Sequence, residues 1–120
     1  MTRGDGAACE GVSHESLNLA ALWQPPPLYV CENNQWQAFV SRREAMAARH
    51  VADHAAAYGV EAQVVDGNDV LAVHAAAQRA AATVRATRRP FLLEFVPQPG
   101  AIVDPAMAVM VRTGQAMAVA

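Results

Sequence analysis

The sequence predicts an α/β fold in which a parallel sheet is flanked by helices. Three short apolar segments, at residues 28–31, 62–65 and 91–95, each lie next to a proline or an aspartate, as is typical of buried strands. Segments with helical spacing alternate with them. Because each helix returns the chain to the end of the sheet where it started, strands that alternate with helices run parallel.

The first predicted helix covers residues 10–23. It stops before the three prolines at 25–27, which cannot continue a helix. Its apolar side consists of Val12, Leu17, Leu19, Leu22 and Trp23. This side is the one expected to face the core.

Two further helices are predicted downstream. One covers residues 43–58 and is followed by Gly59, a typical C-terminal glycine. The other covers residues 70–87, begins after a turn at 66–69 that offers N-cap side chains, and ends before Pro90. Its apolar side consists of Val70, Leu71, Val73, Ala77 and Val84.

Composition limits the classes of function. The 120 residues suffice for one modest domain, and a net charge of -2 gives no electrostatic footprint for nucleic acid or an anionic membrane. The 53% of apolar residues is rich in alanine, so we expect a partner surface to complete the core. Cys9 and Cys31 form neither a metal-ligand pair nor a disulfide framework. With no signal peptide, the expected compartment is the cytoplasm.

A Gly-Asp-Gly motif at residues 4–6 predicts a phosphate-binding turn that also holds a cation. The glycines let the backbone approach an anion closely, and free amides at the start of a following helix, near Gly6 and Ala7, point at it. The carboxylate of Asp5 would repel a phosphate unless a cation lay between them. Magnesium binds carboxylate and phosphate oxygens together and is the predicted ion.

A second polar motif, Asn33-Asn34, follows the predicted strand at 28–31. Its carboxamides offer hard, neutral oxygen ligands, and ligands of open parallel sheets bind at the carboxyl ends of strands. Asp5 and Asn34 are 29 positions apart, enough for one helix and one strand to return the chain to the same edge. Either motif alone is weak, but together at this spacing they predict one metal shared by two neighbouring strand ends.

Six segments carry a family resemblance. They are Gly-Asp-Gly-Ala-Ala at 4–8, Glu-Gly-Val at 10–12, His-Glu-Ser-Leu-Asn-Leu-Ala-Ala-Leu-Trp at 14–23, Val-Cys-Glu-Asn-Asn at 30–34, Val-Asp-Gly-Asn-Asp-Val at 65–70 and Pro-Phe-Leu-Leu-Glu at 90–94. Together they resemble the alpha subunit of thiamine-diphosphate-dependent 2-oxo acid dehydrogenases, which act on pyruvate, branched-chain 2-oxo acids or acetoin. The resemblance implies a partial thiamine-diphosphate-binding domain at residues 1–95 and a divergent tail at 96–120.

The resemblance also implies a site and a reaction. Thiamine diphosphate would bind with Mg²⁺, for which Asp5 and Asn34 supply side-chain ligands and Trp36 its backbone carbonyl. Gly6 and Ala7 would contact the diphosphate. The bound cofactor would decarboxylate a 2-oxo acid and pass the acyl fragment to a lipoyl group, while this segment anchors and orients it.

The same resemblance implies the binding partners. They are a beta subunit in a heterotetramer, a lipoyl-bearing acyltransferase core and the 2-oxo acid substrate. Binding to nucleic acid or to a membrane is not expected. Because the family's cofactor-activating glutamate belongs to the beta subunit, the isolated chain is expected to be inactive. His14, in the first helix, is a candidate catalytic residue; a structural hydrogen-bonding role is the alternative.

The sequence departs from the family pattern at several places. Cys9 stands where the family commonly has asparagine, and Ser13 replaces a common aromatic residue. Residues 96–100 replace a family loop rich in Tyr, Arg, Gly and His, and no histidine follows His74. Only three residues precede Gly4, too few for the strand that normally leads into such a turn. A fragment, or a shifted reading frame after about residue 95, would explain both ends.

Other polar residues receive simpler interpretations. His50 and His54 lie four apart on a predicted helix, but a transition-metal site needs a further ligand, so a solvated or interface role is expected. Arg42 is expected to belong to a solvated charge pair with Arg43. Cys31 is expected to be a small core residue, whereas a helix N-terminus would make Cys9 reactive.

Two alternative functions remain open. One is a truncated, inactive relic of the same subunit, which the missing histidine loop favours. The other is a different thiamine-diphosphate enzyme of transketolase or decarboxylase type. The segments at 17–23 and 66–70 favour the dehydrogenase over this last alternative.

Overall fold

The computed structural model describes residues 2–97, in which four strands form one parallel sheet with helices on both faces. The strands are β1 (Thr2–Gly4), β2 (Leu28–Glu32), β3 (Glu61–Asp66) and β4 (Phe91–Val96), and the helices are α1 (Asp5–Ala8), α2 (Gly11–Trp23), α3 (Arg42–Ala45), α4 (Val51–Ala57) and α5 (Val70–Thr87). The strand order is β1-β2-β4-β3, and every pair is parallel. The predicted α/β class is confirmed. The predicted tail at 96–120 lies, beyond Pro97, outside the described residues.

A strand does precede the Gly-Asp-Gly motif, so the prediction that it had no room was wrong. Thr2–Gly4 pairs in parallel with β2, and Gly4 lies opposite Glu32. Three residues suffice because β2 already supplies the hydrogen-bonding edge on which so short a strand can lie.

The helix predicted over residues 43–58 is two short helices, α3 and α4, separated by the non-helical residues 46–50. Met46 leaves the helical conformation at φ -132° and ψ 123°, and its side chain is buried. At the start of α4, the amide of Ala52 donates to the carboxylate of Glu94 in β4 at 2.8 Å. This tertiary hydrogen bond and the burial of Met46 override the continuous helical spacing. Gly59 does follow α4, with φ 71°, as predicted.

Two buried clusters lie on opposite faces of the sheet. One packs α1, α2 and α4 against the sheet and includes Leu17, Tyr29 and Leu92; the other packs α5 against it and includes Val84 and Leu93. Adjacent residues of β4 therefore point to opposite layers, as strand geometry requires. The chain moves from β1 through β2 to β3 over one face and returns to β4 over the other, as right-handed crossovers require.

The predicted apolar sides of α2 and α5 were only partly right. Leu17 and Val84 are buried, but Leu22, Trp23 and Leu71 are 70%, 70% and 77% exposed. Both helices approach the sheet mainly through small residues: Ser13 and Ala20 in α2, and Ala76 and Ala80 in α5. Larger apolar side chains are left on the surface. None of the helices within residues 2–97 is long and apolar enough to cross a bilayer.

A substitution at Gly59 tests whether the turn between α4 and β3 requires a glycine. A Cβ added there would meet nothing within 4 Å, so the penalty for Gly59→Ala comes from the left-handed φ of 71° alone. We expect the variant to lose about 1 kcal/mol of unfolding free energy, measured by denaturant titration. The control is Gly11→Ala at the start of α2, which also meets nothing within 4 Å and should be neutral or slightly stabilising. Equal loss in both variants would contradict this explanation.

Candidate metal centre

The two predicted polar motifs lie side by side at the carboxyl edge of the sheet. Because Gly4 pairs with Glu32 on adjacent parallel strands, Asp5 and the Asn33-Asn34 loop leave the sheet at neighbouring positions. Ligands of open parallel sheets bind at this edge. The structure thus brings together the segments that the sequence assigns to one metal, while the identity of the ligands stays a prediction.

Asp5 is a buried carboxylate with an unsatisfied oxygen. The residue is 2% exposed, and its Oδ2 atom has no hydrogen-bond partner among the described residues. Burial raises the pKa of Asp5, backbone hydrogen bonds and Arg42 oppose the shift, and Glu94 adds to it. A buried anionic oxygen without a donor is unfavourable unless a cation or a proton satisfies it. The environment of Asp5 therefore fits a metal ligand.

Asn34 and Trp36 are joined by a hydrogen bond in the loop after β2. Asn34 is exposed, and its Oδ1 accepts a hydrogen bond from the Trp36 amide at 2.9 Å. An isolated antiparallel bridge between Trp36 and Ser41 closes the loop that follows. A carboxamide oxygen has two lone pairs, so Asn34 retains acceptor capacity for a metal while it accepts this hydrogen bond.

The first asparagine, Asn33, has a role that the sequence did not predict. It is 1% exposed; its Nδ2 donates to Glu94 Oε1 at 2.6 Å, and its Oδ1 accepts from the Gln35 backbone amide at 3.0 Å and from Gln35 Nε2 at 2.9 Å. The sequence does contain a signal for this: Glu94 is the one charged residue of an otherwise apolar strand. A charge buried in such a strand requires a polar partner.

Arg42 was expected to be solvated and is instead buried. It is 9% exposed, and its guanidinium donates to Gln35 Oε1 at 3.0 Å and to the Ala48 carbonyl at 2.7 Å. Arg43 is exposed, as predicted. The interpretation of Arg42 was wrong because two acceptors surround its guanidinium: Gln35 in the loop after β2, and the carbonyl of Ala48 between α3 and α4.

Gly6 lies in α1 under the side chain of Gln37. A Cβ added to Gly6 would be 3.2 Å from Gln37 Cγ, so the absence of a side chain is what permits this close approach. Gln37 Nε2 in turn lies 3.3 Å from Cys9 Sγ. Cys9 is the C-cap of α1 and directly precedes Glu10, the N-cap of α2, and its reactivity stays a prediction.

Cys31 is a core residue, as predicted. It is 1% exposed in β2, and burial, with smaller contributions from Glu94 and Asp5, raises its pKa to about 12. The buried thiol is therefore neutral and packs as a small apolar side chain.

His14 contacts α4. Its Nδ1 lies 3.4 Å from the Tyr58 hydroxyl, and its ring centroid lies 4.7 Å from that of His54. Burial, and secondarily His14, lowers the pKa of His54. These contacts support the structural alternative for His14, and its catalytic role stays a prediction. Within residues 2–97, no group of three or more His, Cys, Asp or Glu side chains is arranged to hold a metal.

An open cleft of about 500 Å³ adjoins the asparagine loop. Its lining includes Asn34 from the end of β2, Gly67 and Asn68 from the end of β3, and Phe95 from β4. The connections that leave β2 and β3 cross opposite faces of the sheet, so the cleft lies where the direction of the crossovers reverses. Crevices at such points are the usual ligand sites of open α/β sheets.

Fold and site together describe an α/β protein with buried and exposed polar side chains at the carboxyl edge of its sheet, and the comparisons identify its family. The family model described as "Dehydrogenase E1 component" matches residues 1–97. The chain belongs to that family, and the resemblance found in the sequence is confirmed.

Related proteins support the assignment of the chain to this family. The chain is 44% identical over 91 residues to the alpha subunit of acetoin:2,6-dichlorophenolindophenol oxidoreductase from Bacillus subtilis, covering 76% of this chain and 27% of the relative. It is 44% identical over 93 residues to the alpha subunit of 3-methyl-2-oxobutanoate dehydrogenase from Mycobacterium tuberculosis, covering 78% and 25%. It is 41% identical over 93 residues to the pyruvate dehydrogenase E1 component subunit alpha from Rhizobium meliloti, covering 78% and 27%. The chain spans about a quarter of the length of these relatives.

Solved structures support the fold. A transketolase mutant from Pichia stipitis superposes with a TM-score of 0.69 at 27% identity, over 83% of this chain and 15% of that one. A transketolase from Campylobacter jejuni gives a TM-score of 0.70 at 22% identity, over the same shares, and at this identity shows the fold alone.

The raised pKa of Asp5 predicts how the metal-free protein responds to pH. A carboxyl whose folded pKa is above its unfolded value contributes most to stability below the unfolded value, and this contribution is lost as pH rises through the folded one. Asp5→Asn removes the buried charge, so at pH 7 in chelator we expect the variant to be more stable than the parent by about 1 kcal/mol, with a flatter pH dependence. Denaturant unfolding at a series of pH values measures both.

Asp66→Asn is the matched control for this measurement. Asp66 accepts the Asn68 amide through Oδ1, an acceptor that asparagine retains, so little change is expected. The assignment of Asp5 as a buried carboxylate with an unsatisfied oxygen fails if, in metal-free buffer, Asp5→Asn is less stable than the parent while Asp66→Asn is unchanged.

Proposed function

We propose that this chain is the cofactor-anchoring part of a thiamine-diphosphate-dependent 2-oxo acid dehydrogenase, in which Mg²⁺ joins the protein to the cofactor's diphosphate. The observation that carries the proposal is the buried Asp5 oxygen without a donor, at the strand edge it shares with Asn34. Membership of the E1 dehydrogenase family supplies the class of cofactor and reaction.

In this proposal, the metal has three ligands from the chain. Asp5 supplies the charged ligand, the Asn34 carboxamide a neutral oxygen, and Trp36 its backbone carbonyl. Magnesium favours such hard oxygen ligands and completes its shell with phosphate oxygens and water. Without the ion, the Asp5 carboxylate would repel a diphosphate, which is why metal and cofactor are proposed to bind together.

Backbone groups complete the anchor. The amides of Gly6 and Ala7, at the start of α1, are proposed to face the diphosphate. Gly6 allows a ligand to approach the backbone because it has no side chain, although Gln37 lies over this position in the structure. Diphosphate binding is therefore proposed to displace the Gln37 side chain.

When bound, thiamine diphosphate supplies the chemistry that decarboxylates a 2-oxo acid and delivers the acyl group to a lipoyl group. The residues of this chain hold the diphosphate end and so fix where the rest of the cofactor lies. A beta subunit and a lipoyl-bearing acyltransferase core are the proposed partners, in the cytoplasm. The exposed apolar side chains Leu22 and Trp23 of α2 support a protein partner, since large apolar groups together at a surface mark interfaces.

The family match favours this function over a transketolase-type enzyme. It extends over residues 1–97 and so includes every residue that the structure describes. The superposition with transketolases rests on a shared fold, and a shared fold does not imply a shared function.

Calorimetry with the 120-residue chain tests the anchor. We expect thiamine diphosphate to bind with Mg²⁺ and not in chelator, because the metal neutralises Asp5 and the diphosphate together. Inorganic pyrophosphate with Mg²⁺ should compete for the site, whereas unphosphorylated thiamine should not, because the predicted contacts are all to the diphosphate end.

Asp5→Ala should abolish this binding because it removes the charged ligand. Glu61→Gln is the matched control, since Glu61 is an exposed carboxylate at the opposite, amino end of the sheet. Metal-independent binding, or equal binding by Asp5→Ala and the parent, would refute the anchor.

A further inference from the structure

Glu94 is a fully buried carboxylate that the proposed anchor does not use directly. It lies in β4, between β2 and β3, opposite Cys31 on one side and Val64 on the other, and it is 0% exposed. A buried carboxylate carries a large desolvation penalty unless hydrogen bonds satisfy it. Its partners therefore indicate what this residue does.

The two carboxylate oxygens bind two separate segments. Oε1 accepts from Asn33 Nδ2 at 2.6 Å, and Oε2 accepts from the amide of Ala52 near the start of α4 at 2.8 Å. His50 Nδ1, also near that start, lies 3.8 Å from Oε1 and adds an ion pair when protonated. Glu94 thus joins the loop after β2 to the first turn of α4.

The bond to Asn33 fixes the conformation of the loop. With Nδ2 held by Glu94, Asn33 Oδ1 is oriented toward Gln35, whose amide and side chain both donate to it. Gln35 has a φ of 70°, a left-handed conformation that a non-glycine residue adopts only when its surroundings hold it there. Asn34 and Trp36 flank Gln35, so their positions depend on the same chain of hydrogen bonds.

We infer that Glu94 is a positioning residue: by holding Asn33 it orients Gln35 and so sets the places of the Asn34 carboxamide and the Trp36 carbonyl at the metal. This inference rests on the proposed function for the metal, whereas the orientation of the loop is independent of any ligand.

Glu94→Gln tests the inference with almost no change of volume. The parent carboxylate accepts from two donors, but an amide has one oxygen and one NH₂ group. If the new amide oxygen accepts from the Ala52 amide, the new NH₂ group faces the NH₂ group of Asn33, and two donors meet. A 180° flip of the Asn33 carboxamide would relieve that contact, but it would turn the Asn33 NH₂ group toward the two donors of Gln35. The loop loses hydrogen bonds in both of these arrangements. If the new oxygen instead keeps Asn33, the new NH₂ faces the Ala52 amide, and the loss falls on the first turn of α4, where the Ala52 amide signal reports it.

A second substitution should restore the network with reversed polarity. In the double variant Glu94→Gln with Asn33→Asp, the new NH₂ donates to the carboxylate introduced at position 33, which can still accept from Gln35. Asn33→Asp alone would instead place two carboxylates in contact. The two single variants should therefore be defective and the double variant repaired, a non-additivity that independent losses of stability would not produce.

Two readouts separate this inference from the proposed function. In the metal-free chain, amide NMR signals of Gln35 and Trp36 should shift in Glu94→Gln and return in the double variant. At saturating thiamine diphosphate, calorimetry should give a magnesium affinity about 10- to 100-fold weaker for Glu94→Gln and near the parent value for the double variant. Val84→Ala, on the buried side of α5 at the other face of the sheet, controls for lost stability and should leave the Gln35 and Trp36 signals in place.

The outcomes differ for the two proposals. If the parent binds neither metal nor cofactor, the proposed function fails, and the NMR signals still decide whether Glu94 orients the loop. Gln35 and Trp36 signals that are unchanged in both single variants, Glu94→Gln and Asn33→Asp, overturn the positioning role. A double variant as defective as the single variants would also overturn the positioning role.

Discussion

Parallel pairing of β1 with β2 is the interaction on which the candidate site depends. It places Gly4 opposite Glu32, and with it the first residue of α1 beside the loop that carries both asparagines. A shift by one residue would turn every side chain of β1 to the other face of the sheet. The register of a three-residue strand therefore decides whether an acidic and an amide oxygen can reach the same ion.

Electrostatics on this face of the sheet favour a cation. Asp5 and Glu94 are both buried there, and each contributes, after burial itself, to the raised pKa of Cys31. Arg42 partly offsets the effect at Asp5, but its guanidinium is occupied by Gln35 and the Ala48 carbonyl. Two buried carboxylates are tolerated differently: Glu94 is satisfied by hydrogen bonds, whereas Asp5 keeps one oxygen without a donor. That difference separates the residue that organises the loop from the residue suited to bind an ion.

The sequence predicted the parts of this structure that local patterns determine. The bounds of α5 and the glycine after α4 follow from capping and breaker residues, and β2, β3 and β4 follow from short apolar segments. The short β1 was not predicted, because it depends on pairing with β2. The division between α3 and α4 could not be predicted, because it depends on a hydrogen bond from Ala52 to Glu94, 42 positions away. Similarly, the buried faces of α2 and α5 follow from how closely alanine allows a helix to approach the sheet, which hydrophobicity alone does not reveal. At the candidate site, the neighbouring positions of Asp5 and Asn34 were predictable from motif and spacing, whereas the contact of Asn33 with Glu94 was not, because its partner lies in β4.

The central claim is that oxygens from two adjacent strand ends hold one divalent ion against a diphosphate. Anomalous scattering from crystals of the chain grown with thiamine diphosphate and Mn²⁺, which accepts the same oxygen ligands as Mg²⁺, tests it most directly. We expect a single manganese peak bonded to Asp5 Oδ2, the Asn34 carboxamide oxygen and the cofactor's phosphate oxygens. A manganese ion bound elsewhere, with Asp5 Oδ2 still lacking a ligand, would contradict the account.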